Sequence, residues 1–234
     1  MQASDFVSRS KSVVHARTTD PDLALSGWPD AAIGSTDPAI HVVRSTADLS
    51  RVGRLRHALS RDGRATSREG EFGSPALIEQ VDRCSLVFVA EYRGEAVGTI
   101  RLTRAADAIN DPHLGLLLEV AKPEDSGAAI VMSRFAVLPD PQAHALIVPM
   151  LLQAYRSACL AGAVQSFMAV PTRMVPTFAA RGWQWIGRTF VDLEAGTMHV
   201  LRHERLDLDR LRDAGSPLVS VADDFFRRRN GGRR

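Results

Sequence analysis

The stretch from Ala128 to Gly162, AAIVMSRFAVLPDPQAHALIVPMLLQAYRSACLAG, limits the fold more than any other part of the chain. Ala129 to Leu138 is apolar apart from Ser133 and Arg134, which is the pattern of a strand buried on both faces. Pro139 and Pro141 break it, since proline has no ladder donor and biases the preceding residue away from helix. Asp140 as N-cap and Pro141 at the first helical position then open a helix that runs to Gly162. Pro149 should kink this helix or delay its true start. A buried strand feeding a helix directs backbone N–H groups at one crevice, where an anion or a polarised carbonyl can sit. Arg134 is the anomaly, because a guanidinium in a buried strand needs a carboxylate, a set of carbonyls or a ligand. A structural ion pair and a ligand contact both answer that need.

The chain has 234 residues, 45% of them hydrophobic, enough for one domain with extensions. A net charge of +2 argues against nucleic acid as the main partner. Cys84 and Cys159 lie far apart in no metal spacing, so the expectation is a reduced, cytoplasmic protein without a metal. No apolar run reaches membrane-spanning length, and none near the N-terminus reads as a signal peptide.

Residues 1–38 read as an irregular or flexible arm that Trp28 could anchor, 39–205 as the main domain, and 206–234 as a helical extension with a basic end. Within the domain, Ala39 to Arg44 reads as a strand, and Thr46 caps a helix with Leu49, Val52, Leu55 and Leu59 on one face. The segment Arg61 to Gly73 is a glycine-rich charged loop, and Ser74-Pro75 opens a short helix through Val81. Leu86 to Tyr92 and Ala96 to Thr103 form a hairpin. The segment Arg104 to Gly127 reads as a long loop with one helical turn. Beyond the central strand and helix come a strand from Val164 to Val170, a helix from Pro171 to Arg181 closed by Gly182, and a hairpin from Trp183 to Arg202. Trp183 and Trp185, two apart on a strand, should share a core face. The order β-α-α-β-β-β-α-β-α-β-β gives an α+β (α/β mixed) class: a mixed central sheet flanked by helices.

That order, with GEAVGTIRLTR (Gly94 to Arg104), SRFAV (Ser133 to Val137) and FAARGW (Phe178 to Trp183), resembles the GNAT acyltransferase superfamily. VGTIRL and SRFAV resemble more closely its acyl-homoserine-lactone synthases and N-acyl amino acid synthases. The resemblance implies functional roles for Arg101, Ser133, Arg134 and Phe135, and aligns Asp82 with an acidic residue before the second strand. There are departures. Val131 stands where lactone synthases carry glutamate, Phe178 where a leaving-group tyrosine often stands, and Gln142 to Ile147 hold none of the glycines of the coenzyme A pyrophosphate loop.

In that family the fourth strand parts from the fifth and frees backbone N–H groups for the thioester oxygen. Here those amides would be Phe135, Ala136, Val137 and Leu138. Strict alternation would put Arg134 on one face with Met132 and Ala136, and Ser133 with Phe135 on the other. Arg101 and Arg134, on adjacent strands, would share an anion: a substrate carboxylate, a phosphopantetheine phosphate or an internal acid. Glu91, Asp107 and Glu119 are candidate bases, and Gln142, His144 and Phe178 would border the donor. The expected activity is N-acyl transfer from acyl-CoA or an acyl-carrier-protein thioester to the amine of a small metabolite. An acidic carrier protein would be a partner for the RRRNGGRR end. A GNAT-fold binding or assembly module without turnover is the alternative, and a nucleic-acid role through the basic end is a third.

Overall fold

The computed structural model describes residues 23–61, 77–192 and 195–231. Leu25–Gly27 forms a single 3-10 turn, followed by α1 (Asp30–Ile33) and strand β1 (Ile40–Val42). Helix α2 (Thr46–Arg61) begins one residue after its cap: the backbone N–H of Asp48 donates to Ser45 Oγ at 3.1 Å, and Ser45 Oγ donates back to the Asp48 carboxylate at 2.8 Å. Its apolar stripe, Leu49, Val52, Leu55 and Leu59, is buried. Of the helix expected over 74–81, residues 77–79 are not helical, and a 3-10 turn follows at Gln80–Cys84. The loop expected over 61–73 lies largely outside the described residues.

Strands β2 (Leu86–Tyr92) and β3 (Glu95–Arg104) form the expected hairpin. Arg93 (φ 53°) and Gly94 (φ 82°) are both left-handed, the requirement of a two-residue type I′ turn. The segment read as a loop is instead two helices, α3 (Ala105–Ala108) and α4 (Pro112–Ala121). Asp111 supplied the missed signal: its carboxylate accepts from the N–H groups of His113 and Leu114, with Pro112 at the first position. Strand β4 (Ala129–Val137) is followed by α5 (Pro141–Ala145) and α6 (Ile147–Leu160), so Pro149 falls in the first turn of α6 rather than in its interior. Then come β5 (Gln165–Pro171), α7 (Val175–Ala179), β6 (Gln184–Asp192), β7 (Gly196–Glu204), α8 (Leu208–Asp213) and α9 (Val219–Gly231).

The seven strands form one sheet in the order β1-β2-β3-β4-β5-β7-β6. Every neighbouring pair is antiparallel except β4 and β5. One face packs on α6 and α7 through Ile100, Met132, Met168, Leu201, Met150, Ala154 and Phe178. On the other, Leu114, Leu117, Leu118 and Ala121 of α4 meet Val131, Phe167 and Val200. The residues before β1 join the core: Leu23, Leu25 and Trp28 are buried, and the Trp28 indole donates to the Cys84 carbonyl at 3.1 Å. Trp185 departs from expectation. Strand β6 starts after Trp183 and lies at the sheet edge, so Trp183 is buried while Trp185 is exposed and rests edge-on against His199.

The residues after β7 pack back on α6. The Tyr155 hydroxyl donates to the Arg205 carbonyl, the Arg205 guanidinium lies 5.0 Å over the Tyr155 ring, and its far nitrogen donates to Ser166 Oγ. His203 sits edge-on to Tyr155 and Trp183 and is 2% exposed. Neither of its ring nitrogens has a well-aligned partner among the described residues. Burial, then the Arg205 charge, pushes its pKa from 6.5 down to about 3. Above pH 6.5 the ring is neutral in both folded and unfolded chains and costs nothing. Below it only the unfolded chain takes the proton, so stability should fall by up to about 1.4 kcal/mol per pH unit as pH drops towards 3. His203→Phe keeps the ring contacts and removes the titration. Denaturant melts should show it more stable than the parent at pH 5, by ~1–2 kcal/mol, with the gap closing at pH 8.

Candidate active site

Strands β4 and β5 pair only at Ala129↔Gln165, Ile130↔Ser166 and Val131↔Phe167. Beyond Val131 the two strands part, while β4 stays laddered to β3 as far as Gly98↔Val137. A bulge lies inside that ladder. Arg101 faces Ser133 and Thr99 faces Ala136, so Arg134 and Phe135 together oppose Ile100. Arg134 takes the left-handed conformation, φ 53°, which costs a side-chain-bearing residue about 1 kcal/mol or more.

The bulge overturns the strict alternation expected of this strand. Ser133 and Arg134 reach the same cluster: Arg101 Nε donates to Ser133 Oγ at 2.9 Å, and Arg134 Nε donates to Glu79 Oε2 at 2.8 Å. Phe135 turns to the opposite face, edge-on to Phe178 at 6.0 Å between ring centroids.

Two carboxylates on the 3-10 turn before β2 hold three guanidiniums. Asp82 accepts from Arg56 of α2 at 2.8 Å and from Arg101 of β3 at 3.0 Å. Glu79 accepts from Arg101 at 2.6 Å and grips Arg134 through both of its oxygens. The same two acids close a reciprocal cap, each side chain taking the other's backbone N–H. Arg56, Asp82 and Arg101 are each 2% exposed. Burial alone would raise both carboxyls, yet the guanidinium charges and hydrogen bonds outweigh it and hold Glu79 and Asp82 well below the usual carboxylate range. Asp82 was legible in the sequence only through the family resemblance. Glu79 and Arg56 were missed, because neither lies in a motif and both acquire partners only through tertiary contact.

A cleft opens where β4 and β5 separate. Its polar wall is Glu79, Arg101, Ser133 and Arg134; Leu114, Leu117, Ala169 and Phe190 make the apolar wall, and His113 and Asp192 also line it. Hydrogen-bonded pairs alternate along an antiparallel ladder. Leu138 donates its N–H to the Val97 carbonyl at 2.8 Å, so its amide, expected to be open, is bonded to β3. Ala136, opposite Thr99, is the next bonded pair by the same alternation, which leaves the amides of Phe135 and Val137 directed away from β3.

The remaining expected residues lie apart from this cleft. Glu91, on β2, is held by Arg51 at 2.7 Å and His41 at 3.2 Å. Gln142 and His144 are exposed on α5, where the Asp140 carboxylate already takes the N–H groups of Gln142 and Ala143. Phe178 is buried on the opposite face. Among the described residues no cluster of three or more His, Cys, Asp or Glu could hold a metal ion, and no helix is long and apolar enough to cross a membrane.

No known family profile matches the chain, and no curated protein matches it by sequence. Solved structures do match. The CoA-dependent acyl-homoserine lactone synthase MesI superposes with a TM-score of 0.59 at 19% identity, covering 82% of this chain and 95% of MesI. The CoA-dependent acyl-homoserine lactone synthase BjaI, solved with MTA, gives 0.58 at 20% identity, covering 79% and 97%. FeeM, an N-acyl amino acid synthase from uncultured soil microbes, gives 0.50 at 11%, covering 77% and 97%. The chain therefore has the GNAT-like fold that its strand order and motifs implied: a mixed seven-stranded sheet between helices.

The carboxylate pair bolts three elements to the 3-10 turn, and removing one partner strands buried charge. Asp82→Asn should lower unfolding free energy by about 3–5 kcal/mol in denaturant melts at neutral pH. The same acids make the parent lose stability as pH falls through and below the ordinary carboxylate range, because only the unfolded carboxyls take protons there. Asp82→Asn should flatten that limb.

Proposed function

We propose that the protein is an N-acyltransferase that moves an acyl group from a thioester to the amine of an amino acid or similar small metabolite. The observation that carries this reading is the parting of β4 from β5 beyond Val131↔Phe167, with a bulge in β4 beside a cleft that is polar on one wall and apolar on the other. A thioester entering between the strands would place its carbonyl oxygen at the amides of Phe135 and Val137, fixed donors at the point where charge develops. The apolar wall of Leu114, Leu117, Ala169 and Phe190 suits an acyl chain. Attack by the amine then forms the C–N bond and expels the thiolate. The superposed structures include CoA-dependent acyl-homoserine lactone synthases and an N-acyl amino acid synthase, which supports the assignment.

The donor is an acyl thioester of coenzyme A or of a carrier protein. At the turn after β4 the backbone amides of Gln142 and Ala143 are already capped by Asp140, and this favours a donor gripped along its pantetheine arm over one held by a pyrophosphate cradle there. Proton delivery to the thiolate does not fall to a phenol. Phe178 stands where the family often has tyrosine, and Tyr155 is buried against Arg205. Arg134 and Ser133 act from the cleft's polar wall, with Arg101 fixing both through Ser133 and Glu79. A binding module that keeps the cleft without turnover is the second reading, and the missing phenol is what favours it.

Mixing the protein with acyl-CoA or acyl carrier protein and a panel of amines should release free thiol. Arg134→Ala should abolish release while the chain stays folded. Val137→Pro removes an N–H that makes no ladder bond and should slow release by about 10²-fold or more. Ala136→Pro, which breaks a ladder bond, should instead lower the melting temperature. Acyl binding without thiol release under all these conditions would select the binding module.

A further inference from the structure

We propose that His113, oriented by Asp192, is the general base that takes the proton from the attacking amine. The inference deepens the acyl-transfer reading and rests on it. His113 is the second residue of α4, and its backbone is pinned by the Asp111 carboxylate, which accepts its N–H at 3.0 Å. Its side chain lines the cleft together with Ser133 and Arg134. His113 Nδ1 stands 3.4 Å from Asp192 Oδ2, and the other carboxylate oxygen accepts the Ala195 N–H at 2.8 Å, which steadies the acid at the end of β6. A carboxylate at Nδ1 sets the tautomer with the proton there and leaves the Nε2 lone pair for substrate. Nε2 is shielded from water and has no partner among the described residues. An unpartnered imidazole nitrogen beside a cleft of this kind fits a base whose hydrogen bond forms only when the donor amine arrives.

The other candidate acids are paired or lie outside the cleft lining. Glu79 lines the same cleft but is gripped by two guanidiniums and held well below the usual carboxylate range, which makes it a poor proton acceptor. Glu91 pairs with Arg51 and His41 away from the cleft, Asp107 of α3 pairs with Arg104 at 2.7 Å, and Glu119 is exposed on α4. The charged groups around His113 are Asp192 of β6, Asp111 under its own turn, and Glu79, Arg101 and Arg134 on the polar wall. Arg188 of β6 is directed to the Val120 carbonyl at the far end of α4, and His199 of β7 to Thr172.

The step balances without a further reactant. The amine nitrogen bonds to the thioester carbon, its proton passes to His113 Nε2, the C–S bond breaks, and the imidazolium returns the proton to the departing thiolate. The products are an amide and a free thiol, with the ring again neutral.

The test follows thiol release by the full chain across pH, with the acyl donor and amine that give the fastest turnover. His113→Gln should lower kcat by about 10²–10⁴-fold with KM changed only a few-fold, and should erase the acidic limb of the pH profile. Added imidazole should restore part of the rate, and Asp192→Asn should show a smaller loss. A structural staple between α4 and β6 would produce neither the imidazole rescue nor the lost limb. Independently of turnover, the ¹⁵N spectrum of the His113 ring should show the Nδ1–H tautomer, and Asp192→Asn should release it. Wild-type kcat and an unchanged profile in His113→Gln, or an Nε2–H tautomer, would overturn the base assignment and leave acyl transfer standing. No thiol release by the wild type with any acceptor would overturn acyl transfer, and the base assignment with it.

Discussion

Two carboxylates, Glu79 and Asp82, hold the arrangement on which the cleft depends. They stand three positions apart at one short turn, yet between them they bind guanidiniums from α2, β3 and β4. Breaking a buried network of this kind costs far more than its formation contributes, because each arginine left behind is desolvated and unpaired. The reason for tolerating so much buried charge lies in the bulge. Arg134 sits in a backbone conformation its side chain disfavours, and the bidentate grip of Glu79 holds it there. With the bulge in place, β4 bends away and its pairing with β5 ends at Val131↔Phe167. The same contact thus bears on local strain, sheet topology and the opening of the cleft.

The two faces of the sheet divide the labour. The α6 and α7 face is a continuous apolar core that takes in Phe135 and Phe178. The α4 face is apolar only at its base, where Leu114 and Leu117 meet Val131 and Phe167, and it becomes polar towards Arg101, Ser133 and Arg134. A bulge shifts one residue across the pleat, which is how Ser133 and Arg134 come to act on one side while Phe135 fills the core on the other.

Much of this was legible in the sequence, for physical reasons. The strand, proline break and helix from Ala129 to Leu160 rest on local chemistry, so its elements fall where the sequence placed them, with Pro149 moved into a first turn. The type I′ hairpin at Arg93-Gly94 is equally local. Arg101, Ser133 and Arg134, marked by the family resemblance in the sequence, are brought together. What periodicity could not show was the bulge, since a strand's alternation carries no mark of where one residue is extra. Helix α4 was hidden because its short apolar cluster gives little period, although Asp111-Pro112 was a readable start. Glu79, Arg56, His113 and Asp192 carry no motif, and their neighbours come from distant parts of the chain. Glu91, Gln142 and His144 looked suitable by type and position, but the structure sets them outside the cleft.

The proposed acyl transfer turns on the amides of the parted strand, and a crystal structure with a non-hydrolysable acyl thioester analogue probes them directly. The analogue's carbonyl oxygen should lie about 2.7–3.1 Å from the N–H of Phe135 or Val137, with its acyl chain against Leu114 and Leu117. A sheet laddered without a break from Ala129 to Val137 along β5, or an analogue bound elsewhere with those amides untouched, would contradict it.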